Sequence, residues 1–394
     1  MRKIYIVSAV RTAGGSFGGS LKGKKSPELG AVVIENALKR AGVAGDVLDE
    51  VIFGNAWQAG VGPNPARLAS IGAGVPVTVP AVTVNVRCGS SLKALIMGAH
   101  AIMSGEEEAV MVGGAESASN VPYMLDKARW GYRMGNSELI DALHRDGFQC
   151  PLAEGLMGEI TEDLVERYAI SREEQDAYAC VSQHRAVAAI QSGAFREEIV
   201  GVELVNRKTK ETTSFDTDEI PRAGMTVEKL TRLKPVFQQN GTITAGSSSA
   251  LCDAASALLI MSEDKVKELG VTPMAELLAT SFIGIEPQDF GLAPVPVVRK
   301  LLKKTGLGLA DIDLVELNEA FAAQVLACDK KLHFNPDTLN VNGGAIALGH
   351  PIAATGGKIL VTLLHALKHR DKELGLCTLC VGGGNGVGVI VKMV

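Results

Sequence analysis

Two strand-like segments of this sequence end in the same way: residues 110–114 read Val-Met-Val-Gly-Gly, and residues 379–383 read Leu-Cys-Val-Gly-Gly. Two further matches precede them in the same order. Residues 37–42 (Ala-Leu-Lys-Arg-Ala-Gly) resemble residues 301–306 (Leu-Leu-Lys-Lys-Thr-Gly), and strand-like stretches follow at residues 51–56 and 314–320. Three matches in one order are improbable by chance, so we expect two related halves.

Apolar strand-like runs alternate with helical patterns along both halves, which is typical of an α/β fold with largely parallel sheets. We expect the first half to span residues 1–120 together with 247–270, and the second half to span 271–394. Residues 121–246 have no counterpart in the second half. They are predicted to form an inserted loop subdomain, in which the pattern from Ser171 to Gly193 indicates a long helix.

The overall composition argues against several classes of protein. A formal net charge of −5 gives no reason to expect a nucleic-acid partner. No apolar run reaches membrane-spanning length, and the short apolar stretch after Arg2 and Lys3 does not fit a signal peptide. Seven scattered cysteines argue against a disulfide framework and favour a reducing compartment. These features predict a cytoplasmic location.

Two reactive residue types stand at equivalent corners of the two halves. Cys88 opens a helical pattern in the first half, and His350 stands just before another in the second. Either residue alone would also fit a packing role. Together they suggest a nucleophile and its base, because a helix N-terminus favours a thiolate by about 0.3–1 kcal/mol. The Cys-x-x-Cys of Cys377 and Cys380 predicts no metal site, because no second pair accompanies it.

Four blocks of residues make this interpretation more specific. They are residues 85–94 (Asn-Val-Arg-Cys-Gly-Ser-Ser-Leu-Lys-Ala), 318–321 (Asn-Glu-Ala-Phe), 340–351 (Asn-Val-Asn-Gly-Gly-Ala-Ile-Ala-Leu-Gly-His-Pro) and 380–386 (Cys-Val-Gly-Gly-Gly-Asn-Gly). In order and spacing they resemble the active-site motifs of the thiolase family. The resemblance covers essentially the whole chain. It implies two βαβαβαββ-type halves in a layered αβαβα arrangement, and an acyltransferase that makes and breaks carbon–carbon bonds between acyl groups on coenzyme A.

The resemblance assigns a role to each catalytic position. Cys88 would be the nucleophile that carries the acyl group, and His350 would accept its proton. Cys380 would remove or return the α-proton of the second acyl-CoA as general base. Two oxyanions arise, so two sets of donors are implied. One is His350 with a water held by Asn318, and the other is the backbone N–H groups of Cys88 and Gly382.

The same resemblance implies where coenzyme A binds. We expect acetyl-CoA and short-chain 3-ketoacyl-CoA as substrates, with no permanently bound cofactor and no metal. Arg222 and Ser249 would contact the nucleotide and pantetheine portions of coenzyme A. The acyl and pantetheine tunnel would be lined by Leu156, Met157, Phe237 and Phe321. The basic run from Arg222 to Lys234 fits a solvated surface as well as a phosphate-binding patch.

Assembly and substrate range are further expectations. Residues 127–135 resemble the projecting loop through which short-chain thiolases join dimers into tetramers, so we expect a homotetramer. Ser91, Ala250 and Ala353 replace glycines of the family pattern, which predicts added bulk where the substrate approaches. Leu156 replaces a histidine, and Phe290 lies in a stretch that lines the acyl end in the family. These changes predict an apolar, shortened acyl pocket.

Two alternatives compete with this interpretation. A decarboxylative condensing enzyme of a related fold also uses a cysteine at a helix start, but it needs no second cysteine at the position of Cys380. A non-catalytic acyl-CoA-binding relative would be expected to have lost Cys88, His350 or Cys380, and all three are present.

Overall fold

The computed structural model describes residues 2–206 and 208–394. Met1, with which the predicted first half begins, and Arg207, inside the predicted insert, lie outside the described residues. The elements up to residue 120 are strands β1 (Ile4–Thr12), β2 (Gly15–Ser16), β3 (Glu50–Gly54), β4 (Ala81–Val84) and β5 (Ala109–Ser117), and helices α1 (Ser26–Ala41), α2 (Pro65–Gly72) and α3 (Ser90–Ser104).

The segment between β5 and the next long strand contains short strands and three helices. These are β6 (Tyr123–Met124), β7 (Ile140–Asp141), β8 (Gln149–Cys150), β9 (Gly155–Leu156), α4 (Met157–Tyr168), α5 (Arg172–Ser192), β10 (Ile199–Val200), β11 (Val202–Val205), β12 (Thr212–Phe215) and α6 (Val227–Leu230). The Ser171 side chain caps the first turn of α5, and Gly193 ends it in a left-handed conformation. The predicted long helix is therefore confirmed, while the insert boundaries stay a prediction.

The remaining elements run from residue 252 to the C-terminal strand. They are β13 (Cys252–Ser262), α7 (Glu263–Leu269), β14 (Ala275–Gly284), α8 (Pro294–Thr305), β15 (Leu314–Leu317), α9 (Ala322–Leu332), α10 (Ala345–Leu348), α11 (Thr355–His369), β16 (Leu374–Val381) and β17 (Asn385–Met393). Strand order is β4-β3-β5-β13-β1 in one half and β15-β16-β17-β14 in the other, and β1 pairs with β14 to join them.

The expectation of largely parallel sheets is wrong. Among the described strands, the parallel pairs are β3 with β4, β3 with β5, β15 with β16 and the short β10 with β1, whereas β13 and β17 run antiparallel to all of their neighbours. The short turn after β16 explains the second case. Gly383 and Gly384 have φ values of 88° and 86°, which only glycine adopts readily, so the chain reverses at once and β17 pairs back along β16.

The two halves of the sheet separate three apolar layers of the core. Along β3, Ile52 faces a central layer, whereas Val51 and Phe53 face an outer layer that is covered by α1 and α2. This alternation follows from the two-residue period of a strand. The central layer contains Leu95 of α3 and Leu364 of α11, and α8 and α9 cover the other sheet. The layered αβαβα arrangement is therefore confirmed, and it places the N-termini of α3 and α11 side by side.

A buried ion-pair network links the segment between β5 and β13 to the sheet. Arg11 on β1 is fully buried and forms two 2.9 Å hydrogen bonds with Asp218 and one of 2.6 Å with Glu198. Buried charges of this kind are tolerated because each is paired. Within the described residues, the chain contains no helix of the length and apolar character needed to cross a membrane.

Candidate active site

Cys88 lies in a single 3₁₀ turn, Arg87–Gly89, immediately before α3. Arg87 has φ of 52°, an unusual value for a residue with a side chain. Its guanidinium donates to the carbonyls of Asp146 and Gln149 at 3.1 and 3.0 Å, which holds the turn in place. A Cβ at position 89 would lie 2.8 Å from Val381, so glycine allows the close approach of this turn to the end of β16.

His350 lies beside Cys88 from the other half of the chain. Its Nε2 is 3.3 Å from the Cys88 Sγ, and its Nδ1 is 2.6 Å from the Thr355 Oγ1 at the start of α11. If Nδ1 donates its proton to the threonine hydroxyl, Nε2 is left with a lone pair for the cysteine thiol. The sequence interpretation assigned no role to Thr355, which stands five residues after His350.

Burial decides the protonation of this pair. It lowers the pKa of His350 to about 3, with a smaller effect from Lys358. Burial also raises the pKa of Cys88, although Arg87 and the Gly382 amide oppose that shift. Loss of hydration outweighs the modest helix-dipole effect on which the sequence argument relied. At neutral pH the resting pair is therefore a thiol and a neutral imidazole.

Cys380 and Gly382 complete the wall opposite Cys88. Cys380 lies near the end of β16 and is buried, and this burial raises its pKa well above the ordinary thiol value, with the neighbouring Cys88 adding to the rise. A Cβ at position 382 would come within 2.8 Å of Arg87 and Met157. The absence of a side chain at Gly382 therefore leaves its backbone N–H close to the Cys88 sulfur.

A cavity lies between these residues. Cys88, His350, Cys380 and Gly382 line it together with Met157, Ser249, Phe290 and Phe321. A second cavity shares Met157, Ser249 and Phe321 with the first and is also lined by Phe237 and Ala250. A third cavity shares Ala245 and Ala250 with the second, and Arg222 and Lys229 line it. The three cavities are therefore neighbours, and they define a route with basic side chains at one end and the two cysteines at the other.

Asn318 lies next to this cavity without lining it. The residue is buried, and its backbone N–H donates to Thr378 at 3.1 Å. Among the described residues, its side-chain oxygen and nitrogen have no hydrogen-bond partner. An unpaired buried amide costs about 1–3 kcal/mol, so this side chain suits a bound water.

Two buried side chains, one acidic and one basic, hold the loops of the site in place. The sequence interpretation did not identify either of them. Glu116 at the end of β5 accepts from the backbone N–H groups of Trp57 and Ala353 at 3.2 and 3.1 Å. Lys358 on α11 donates to the carbonyls of Leu348 and Gly349, directly before His350. Both residues could have been found in the sequence, because each is a charged residue within an otherwise apolar strand or helix.

Three residues that depart from the family pattern do not lie along the substrate route, where we expected them. Ser91 is buried between α3 and α11, where its hydroxyl accepts from the Gly357 N–H at 2.8 Å. Ala353 is also fully buried and packs against Gly114 of β5. Leu156 precedes α4 and is absent from the described cavity linings, whereas its neighbour Met157 lines two of them. Of the three glycine replacements, only Ala250 adds bulk along the route.

Comparisons with known proteins agree with this geometry. Residues 4–264 match the family model described as thiolase, N-terminal domain, and residues 271–393 match thiolase, C-terminal domain. An acetyl-CoA acetyltransferase of Pseudomonas aeruginosa is 50% identical and covers 98% of both chains. One of Escherichia coli is 49% identical and covers 100% of this chain and 99% of its own.

A solved structure gives the same result in three dimensions. The crystal structure of a Bacillus anthracis acetyl-CoA acetyltransferase superposes with a TM-score of 0.97, at 42% identity, and covers 100% of this chain and 99% of its own. Because both family models match and full-length relatives share about half of their residues with it, this chain belongs to the thiolase family.

Proposed function

We propose that this chain is an acetyl-CoA C-acetyltransferase that catalyses the reversible Claisen condensation of two acyl-CoA molecules and the thiolysis of short-chain 3-ketoacyl-CoA. The observation that carries the proposal is the 3.3 Å contact of Cys88 with His350 in a cavity that also contains Cys380 and Gly382. The names of the relatives support the same activity and neither of the two alternatives.

Thiolysis begins at the thiol–imidazole pair. Cys88 gives its proton to His350 Nε2, and its sulfur adds to the C3 carbonyl of the 3-ketoacyl-CoA. The N–H groups of Cys88 and Gly382 are the proposed donors to the resulting oxyanion. The C2–C3 bond then breaks, and the electron pair stays on C2 as an enolate. His350 and a water on Asn318 are the proposed donors to this second oxyanion.

The proton for C2 comes from Cys380. Its raised pKa keeps the thiol protonated in the resting enzyme, so it can give that proton to the enolate and release acetyl-CoA. Free coenzyme A then gives its thiol proton to the Cys380 thiolate and attacks the acyl group on Cys88. The departing Cys88 sulfur recovers its proton from His350. Condensation is the reverse of these steps, and all protons are returned at the end of the cycle.

The cavities indicate the substrate class. Phe290 is buried against Cys380 and Phe321, where it closes the acyl end of the first cavity. Short acyl groups fit this arrangement, and one methylene is worth about 1–3 kcal/mol in such a pocket, so discrimination is graded. Arg222 and Lys229, at the far end of the route, are the proposed partners of the nucleotide phosphates.

Location and assembly are further parts of the proposal. All seven cysteines are free thiols, which supports a reducing, cytoplasmic compartment. Trp130 is 86% exposed and Met134 is 97% exposed on the loop at residues 127–135. Large apolar side chains this exposed mark an interface, so we assign this loop to the contact that joins two dimers into a homotetramer.

The function is tested with acetoacetyl-CoA, 3-ketohexanoyl-CoA and 3-ketopalmitoyl-CoA in a thiolysis assay with free coenzyme A. We expect comparable turnover of the first two and poor turnover of the third. Cys380→Ser should lose exchange of the acetyl-CoA methyl protons with deuterated water. Decarboxylation of a malonyl thioester that survives Cys380→Ser, without any thiolysis by the wild-type chain, would favour the decarboxylative alternative.

A further inference from the structure

A cluster of possible metal ligands lies at the end of α11 that is distant from His350. It consists of Glu197, from the segment after α5, and of His365 and His369 on α11. One ligand atom from each lies within 4.8 Å of the other two. The two histidines are four residues apart, so they share one face of the helix. This pair with a carboxylate is a common arrangement for a transition-metal ion.

The buried member of this cluster has a free ring nitrogen. His365 is 5% exposed, and its Nε2 lies 3.2 Å from the carbonyl oxygen of Ala9 on β1. A carbonyl can only accept, so Nε2 carries the proton and Nδ1 keeps the lone pair. That Nδ1 is buried and has no hydrogen-bond partner among the residues described. A ring nitrogen with a free lone pair is the atom through which a neutral imidazole binds a metal ion.

The other two members already contact each other. His369 Nε2 lies 3.5 Å from Glu197 Oε2, and the same carboxylate oxygen accepts from Lys368 at 2.8 Å. All three of these side chains are exposed enough to change rotamer. The helix ends at His369, where the macrodipole favours a cation. Lys368 therefore competes with a metal ion for Glu197, and Arg40, which donates to the backbone carbonyl of Glu197, adds a further positive charge nearby.

We propose that Glu197, His365 and His369 bind one divalent transition-metal ion, with Zn²⁺ as the best match to two imidazoles and one carboxylate. A borderline ion with nitrogen and oxygen ligands suits this set better than Mg²⁺ or Ca²⁺, which take oxygen ligands. Bound metal would displace Lys368 from Glu197. It would link the inserted segment to α11, and through the His365–Ala9 hydrogen bond to β1, so it would act as a structural clamp.

The site is separate from the catalytic centre. His365 comes ten residues after Thr355 on the same helix, which corresponds to about 15 Å along its axis. Metal binding here therefore leaves the Cys88–His350 pair in place. Zinc can also bind thiolates, and Cys88 offers a second, unrelated site. The experiment has to distinguish nitrogen and oxygen ligands from sulfur.

Co²⁺ makes that distinction, because thiolate ligands add an intense sulfur-to-cobalt charge-transfer band in the near ultraviolet. An untagged chain is titrated with Co²⁺ and then with Zn²⁺. We expect one equivalent of Co²⁺ with d–d bands and no charge-transfer band, displaced by Zn²⁺. His369→Ala and Glu197→Gln, both at exposed positions, should each weaken binding by about 100-fold. Lys368→Met should bind more tightly than the wild-type chain.

His100→Ala, at an exposed position on α3, is the matched control and should bind like the wild-type chain. Zn²⁺ should also raise the thermal unfolding midpoint of the wild-type chain and of His100→Ala, but not that of His369→Ala. Absence of Co²⁺ binding, a charge-transfer band on the first equivalent, or unchanged affinity in both His369→Ala and Glu197→Gln would overturn the proposal.

Discussion

Lys358 donates a 3.1 Å hydrogen bond to the carbonyl of Gly349, the residue before His350. The ammonium group is buried and also contacts the carbonyl of Leu348, while Asp218 of the inserted segment provides a nearby negative charge. One side chain thus links α11, the predicted insert and the backbone of His350, whose imidazole is the proposed base. Lys358 touches none of the reacting atoms, and we interpret it as a positioning residue.

The first prediction follows from this contact. Lys358→Met should lower kcat for acetoacetyl-CoA thiolysis by about 100-fold, because a displacement of about 1 Å at His350 is enough for such a loss. KM for coenzyme A should change little. Lys358→Arg, which keeps a buried cation and its donors, should recover most of the activity. Lys267→Met on exposed α7 is the control. Wild-type kcat in Lys358→Met would remove the assignment.

The second prediction concerns the resting thiol. Burial raises the pKa of Cys88 and lowers that of His350 to about 3, so a thiolate–imidazolium pair is not formed in the free enzyme. Because the pKa of the thiol is raised, little thiolate is present at neutral pH, and the thiolate fraction increases as the pH rises. Alkylation of Cys88 by iodoacetamide, followed by mass spectrometry, should therefore accelerate about tenfold per unit between about pH 6 and 8. A rate independent of pH over that range would indicate a preformed ion pair.

The third prediction concerns the acyl end of the cavity. Phe290→Ala should raise kcat/KM for 3-ketooctanoyl-CoA by about tenfold or more, because the ring that closes the pocket is removed. The substitution should also cost about 3–5 kcal/mol of unfolding free energy, since Phe290 is buried. Efficient turnover of 3-ketopalmitoyl-CoA by the wild-type chain would contradict this role of Phe290.

The fourth prediction concerns assembly. Replacing both Trp130 and Met134 with glutamate should convert the proposed tetramer into dimers in light scattering at micromolar concentration, because charged side chains cannot be buried in the proposed contact. Val205→Glu alters an apolar side chain that is also exposed but lies outside the loop, and it should leave the tetramer intact. A wild-type dimer under the same conditions would show that the loop has another role.

The sequence predicted those features that depend on local pattern or on an ordered set of motifs. The internal repeats predicted two related halves, periodicity predicted the long helix that is α5, and the resemblance to the thiolase family implied the layered arrangement. The direction of the strands could not be predicted, because an apolar run has the same composition in a parallel and in an antiparallel pair. The reversal after β16 depends on Gly383 and Gly384, whose conformation becomes evident only in the structure.

The site was predictable to a similar extent. Cys88, His350, Cys380 and Gly382 do meet in one cavity, as the motif order implied. The prediction that Ser91 adds bulk near the substrate was wrong. Ser91 is close to Cys88 in the sequence, but the sequence distance does not show which face of α3 its side chain occupies. Thr355 and Lys358 were missed because their contribution depends on what they contact across α11, and sequence position alone does not show this.

Rapid quenching after mixing with acetyl-CoA tests whether Cys88 is the residue that becomes acylated. Peptide mass spectrometry should find one acetyl group per chain, on Cys88, in the wild-type enzyme and in Cys380→Ser. Cys88→Ser should show neither the label nor turnover. A stoichiometric acetyl group on any other residue, or turnover that persists in Cys88→Ser, would contradict the account.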